Sequence, residues 1–130
     1  MKKILFSALL GATTLLGALG ARADMPAGDA ERGRLVFAAC RTCHYPEKLV
    51  GNHNGPSLFA IFGRKAGTRE GFEYYSDTLK KADFTWTPEL LDLWLANPRT
   101  FLPGTAMVFV GLPNAQDRAD LIEYLKQFHD

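Results

Sequence analysis

The sequence predicts a small all-α domain with long loops. Four short segments read as helix, and no run alternates well enough to be a strand. The connections are rich in Gly and Pro, notably 51–56, 63–71 and 103–104. Long loops around few helices imply that something besides side chains fills the middle.

The first predicted helix covers about residues 29–39. Ala30, Gly33 and Phe37 share one face, with Val36 and Cys40 beside it, while Glu31, Arg32 and Arg34 lie elsewhere on the surface. A shorter helical piece covers 76–81. The third begins at Thr87-Pro88-Glu89, a cap residue, then proline at the first helical position, then an acid in the first turn. It holds Leu90, Leu91, Leu93, Trp94 and Leu95 and stops before Pro98. The last runs from Asn114, its cap, to about His129, with Leu121, Leu125 and Phe128 as its apolar stripe.

Ahead of these stands a different kind of segment. Met1-Lys2-Lys3 is followed by an uncharged stretch from Ile4 to Ala21 and by Ala21-Arg22-Ala23. A positive start, an apolar run and a small-x-small site form a secretory signal peptide, with the cut expected after Ala23. Residues 1–23 are then the signal and 24–130 the domain. The alternative is an uncleaved anchor, since the run approaches spanning length. Gly11, Gly17, Gly20, Thr13 and Thr14 weaken it in that role.

Cleavage removes Lys2, Lys3 and Arg22, so 15 − 3 = 12 basic side chains face 14 acidic ones, near −2 in place of +1. That balance excludes nucleic acid as a partner, which demands a concentrated positive face. The chain has two cysteines, Cys40 and Cys43. In an exported protein a pair suggests a disulfide, but a loop this small would add little constraint.

Cys40-Arg41-Thr42-Cys43-His44 is C-x-x-C-H, the attachment signature for c-type haem. Thiols at i and i+3 at the end of a helix lie on one side of the backbone and reach the two vinyl groups of one porphyrin. His44 is then carried under the ring, where an imidazole nitrogen binds iron. A zinc site needs four ligands, and no second Cys or His cluster completes one. A thioredoxin-like pair needs a βαβ setting that the chain lacks. One haem c per chain, held through Cys40 and Cys43, is therefore expected.

The second axial ligand follows by elimination. Met1 leaves with the signal and Met25 sits at the new N-terminus, which leaves Met107 after the Pro103-Gly104 turn. His53, nine residues beyond His44, and His129, at the end of the chain, are the competitors. A thioether from Met107 is the expected sixth ligand, with His44 the fifth.

Over residues 28–130 the sequence closely resembles the class I cytochromes c. The match includes Gly28-Asp29 with Gly33 and Phe37, the Cys40–His44 motif, Gly55-Pro56, Gly63-Arg64-Lys65, Trp86 and Asn97-Pro98. It continues through Pro103-Gly104-Thr105 with Met107 and the segment 120–125. The resemblance implies the class I cytochrome c fold, in which Gly33 and Phe37 on the first helix pack against Leu121 and Tyr124 on the last. It implies that the Pro56 carbonyl accepts the second N–H of His44. It further implies that Arg64 and Trp86 bind a haem propionate together with Tyr74 or Tyr75, a choice left open by one extra residue between Arg64 and Trp86. Thr105 and Trp94 would lie against the cofactor near Met107, Trp94 standing where the mitochondrial type has a tyrosine.

The function so implied is one-electron shuttling between a donor and an acceptor protein outside the cytoplasmic membrane. The protein would be a periplasmic monomer, without stable membrane insertion and without catalysis of its own. The lysine ring that resemblance would place around the haem edge is depleted, with Ala39 and Ala106 at two positions and Arg99 keeping one. Two rival readings are a dedicated electron-accepting subunit of a periplasmic dehydrogenase, and a haem enzyme or gas binder with a labile sixth position.

Overall fold

The computed structural model describes residues 25–130, so the signal peptide expected over 1–23 and its cleavage site lie outside the described residues. Five helices follow in order: α1 Ala30–Phe37, α2 Asp77–Lys80, α3 Pro88–Ala96, α4 Pro98–Phe101 and α5 Ala115–Leu125. Among the described residues there is no strand, only an isolated antiparallel bridge between Lys65 and Thr85. No helix among them is long and apolar enough to cross a membrane.

Each predicted helix starts on its cap. The side chains of Asp29, Ser76, Thr87 and Asn114 accept backbone N–H groups of the first turns of α1, α2, α3 and α5, satisfying donors that have no partner inside the helix. α4 is an addition to the sequence reading, which took Pro98 only as a stop. Pro98 ends α3 and also opens α4, because its missing N–H costs nothing at a first helical position. The Asn97 side chain caps the new helix through the Thr100 N–H.

Two ends are shorter than expected. α5 stops at Leu125 and not near His129; the next residues form turns, and the Phe128 carbonyl accepts the Ala60 N–H at 2.8 Å. α1 stops at Phe37, and the chain continues in turns held by Cys40 N–H to Phe37 O at 2.8 Å and His44 N–H to Cys40 O at 2.9 Å.

α1 and α5 cross closely because Gly33 has no side chain. A Cβ there would lie 1.9 Å from the Asp120 carbonyl oxygen and 2.8 Å from the Tyr124 Cβ. Phe37 meets Tyr124 with ring centroids 5.5 Å apart, and both join Leu121 and Leu125 in the core. Asp120, 1% exposed, clamps the crossing. Its carboxylate accepts from Asp29 N at 2.7 Å, from Arg32 Nε and Nη2 at 2.7 and 3.0 Å, and from Gln116 Nε2 at 2.9 Å.

The Arg32 guanidinium, helped by Gln116 and the Asp29 N–H, holds the Asp120 carboxyl down to about 2 against the opposing effect of burial. A carboxyl lowered by folding adds stability above its unfolded value near 3.9 and loses it as pH falls through the folded one. Asp120→Asn is therefore expected to lower Tm at neutral pH and to flatten the loss of stability between about pH 4 and pH 2. Thermal melts of both proteins across that range are the measurement, and parallel curves would deny Asp120 this role.

Candidate haem site

A cavity of about 500 Å³ opens among the loops. Its apolar wall is the domain core itself: Phe37 from α1, Leu91, Trp94 and Leu95 from α3, and Leu121 and Leu125 from α5. Trp86 and Trp94 meet edge to face at 5.6 Å and both line it. The space that long loops around few helices imply is thus present, and it lies where a core would otherwise be.

Cys40, Cys43, His44 and Met107 all line this cavity. Both cysteines are free. Burial pushes the Cys40 thiol up to about 11, with Cys43 adding to the shift.

His44 is oriented by its neighbours. Its Nδ1 lies 2.8 Å from the Pro56 carbonyl oxygen, which only accepts, so Nδ1 carries the proton and Nε2 keeps its lone pair. Burial lowers the His44 pKa, with the Pro56 bond working the other way, which favours the neutral ring that a metal ligand requires. Gly55 supplies the space for it. A Cβ there would stand 2.3 Å from His44 Cε1 and 2.8 Å from Nε2, so any larger residue displaces the imidazole. Sequence reasoning gave Gly55 no role; the Gly-Pro pair after the motif was the available signal.

Met107 is half-buried, packs on the core and has its N–H held by Thr105 Oγ1 at 3.3 Å. Thr105 itself is not part of the cavity wall; it acts on Met107's backbone. The competing ligands are elsewhere. His53 is exposed with its ring against Tyr45, and His129 is exposed near the chain end. Neither they nor Met25 line the cavity. Among the described residues no group of His, Cys, Asp and Glu could hold a metal ion without a cofactor.

At another part of the wall lie Arg64, Tyr74, Tyr75 and Trp86. Arg64 donates to Ser57 O at 3.0 Å and Phe59 O at 3.2 Å. Tyr75 is the half-buried tyrosine and accepts the Arg69 N–H at 3.2 Å, whereas Tyr74 is 81% exposed. Tyr75 thus stands by Arg64, and Tyr74 lies at the exposed rim.

The residues fit a covalently held haem. Two thiols, an imidazole with a free Nε2 and a thioether meet one apolar space, and a guanidinium stands where carboxylates would need a partner.

No family model matches the chain. It is 47% identical to cytochrome c of Chlamydomonas reinhardtii over 106 residues, covering 81% of this chain and 94% of that protein. Cytochrome c2 of Rhodomicrobium vannielii is 46% identical over 103 residues, 79% of this chain and 82% of its own. Among solved structures, cytochrome cH from Methylobacterium extorquens superposes with a TM-score of 0.72 at 42% identity, covering 77% of this chain and 99% of its own. With the cavity, the attachment motif and these relatives in agreement, the chain belongs to the class I cytochromes c.

Proposed function

We propose that the protein is a mono-haem electron carrier working between two redox proteins outside the cytoplasmic membrane. The observation that carries this reading is the meeting of Cys40, Cys43, His44 and Met107 on one cavity. When bound, the haem supplies one-electron chemistry between ferric and ferrous iron. Cys40 and Cys43 would tether it, His44 Nε2 and the Met107 sulfur would ligate its iron, and the Pro56 carbonyl holds the imidazole in place. Arg64, Tyr75 and Trp86 hold the propionate end, while Trp94 and the core wall exclude water. Two iron ligands supplied by the chain would suit electron carriage, since oxygen and peroxide chemistry needs an open position.

The direct test is attachment. Denatured wild-type protein is expected to keep its red colour through acid-acetone extraction. Cys40→Ala and Cys43→Ala should each hold haem by one bond or none. Colour that extracts freely from the wild type ends the proposal.

The partner surface has its own expected signature. Ala39, Thr42, Ala106 and Val108 line the cavity's edge. Around it Val108 and Val110 are 89% and 91% exposed, and Leu35, one turn before Ala39, is 64% exposed. Arg41 is tied to Glu47, and Arg99, which the resemblance puts at the haem edge, is exposed. A donor or acceptor with an apolar docking face matches this rim, and apolar contact is not screened by salt. Reduction by the native donor should therefore depend only shallowly on ionic strength, with Arg99→Glu slowing it modestly. Stopped-flow rates that fall more than about a hundredfold from low to physiological salt would place the protein among strongly steered carriers.

A further inference from the structure

Within the attachment motif, Cys40, Thr42, Cys43 and His44 line the cavity and Arg41 does not. Its side chain turns outward and is held there by three others. The guanidinium carbon stands 6.0 Å from the Phe37 ring centroid and 5.5 Å from that of Tyr45. A guanidinium N–H donates to Glu47 Oε1. Glu47 Oε2 is buried with no hydrogen-bond partner. A buried acceptor without a donor is costly, and the charged bond on the other oxygen offsets that cost.

The clasp reaches His44 through Tyr45. The Tyr45 carbonyl accepts the Leu58 N–H at 2.9 Å, and its ring meets His53 edge to face at 5.6 Å. The Cys43 carbonyl accepts the Gly55 N–H at 2.8 Å. Between Gly55 and Leu58 stands Pro56, whose carbonyl takes the His44 Nδ1 proton. Pro46, which joins Tyr45 to Glu47, is fully buried, so the segment under the clasp is fixed in the interior.

We propose that Arg41 is a positioning residue: with Phe37, Tyr45 and Glu47 it clasps the attachment turn from outside and so keeps the Pro56 carbonyl on the His44 imidazole. This rests on the haem reading above. That carbonyl makes the imidazole a stronger donor, which favours ferric iron. Loosening the clasp therefore raises the midpoint potential.

The test uses purified haem-loaded protein. Arg41→Ala combined with Glu47→Gln removes both charges together, so that only position changes. It is expected to shift the one-electron equilibrium roughly two- to fivefold toward the reduced form, a part of what one hydrogen bond is worth. The His44 ring N–H resonance of the reduced protein should move with it. Arg41→Lys, which keeps a cation between the rings and the carboxylate, should stay close to wild type in both. Arg34→Ala combined with Glu31→Gln removes a matching pair from the exposed side of α1 and should move neither. If the clasp variant loads poorly, the ring N–H resonance in Glu47→Gln alone carries the test. Equilibrium and resonance both unchanged, in protein that keeps its colour through acid-acetone, overturn the role of Arg41 alone. A shifted equilibrium with the resonance in place is an effect of charge and not of position, and overturns it as well. Loss of that colour from wild type overturns the haem reading beneath it.

Discussion

Protein made without a haem-attachment system is expected to be largely disordered by circular dichroism and to show no cooperative thermal transition. The cavity is not an annex to the core. Phe37, Ile61, Leu91, Leu95, Leu121 and Leu125 are core residues and also its walls. Leaving about 500 Å³ unfilled would cost, at about 24 cal/mol per Å³, up to about 12 kcal/mol. That is an upper figure, since the mouth admits water, but it is comparable with the roughly 5–15 kcal/mol that holds a whole domain together. Binding energy becomes folding energy in such a protein. A cooperative melt of the apo-protein would show that α1, α3 and α5 sustain a core by themselves.

Met107→Ala should lower the midpoint potential, abolish any sulfur–iron charge-transfer band and allow carbon monoxide to bind the reduced protein. A thioether favours ferrous iron, and axial ligation moves haem potentials across about 0.8 V, so this is the largest electronic effect expected from one substitution. The alternatives within the chain are poor. His53 and His129 are exposed and off the cavity wall, so neither replaces the sulfur without moving its segment. Spectrum and potential unchanged from wild type would mean that another residue holds the sixth position.

The local parts of this architecture are legible in the chain because their causes are local. Thr87 and Asn114 announce helix starts since each needs only a donor two or three residues onward, and in the structure Asp29 and Ser76 cap in the same way. The attachment motif is equally self-contained: five adjacent residues define it. α4 escapes for a related reason. Proline ends one helix and begins another with the same chemistry, and only the Asn97 side chain, turned onto Thr100, decides for a new start. What stays hidden depends on distant partners. Gly55 matters because His44 lies against it, and Asp120 because α1 arrives beside it. Tyr75 is separated from Tyr74 by its burial, its hydrogen bond to the Arg69 backbone and its place beside Arg64.

The clasp between Asp120 and the start of α1 joins residues 88 and 91 positions apart. Contacts of such range form late, because the loop between them must close before they stabilise anything. A chain emerging amino-end first therefore presents Cys40 and Cys43 long before Asp120 and Leu121 follow. Until the final helix is delivered, the turn that bears the thiols has no partner to close over it. The order of residues thus reserves an interval in which the motif is open to an attachment machinery, and the last segment to arrive is the one that shuts it.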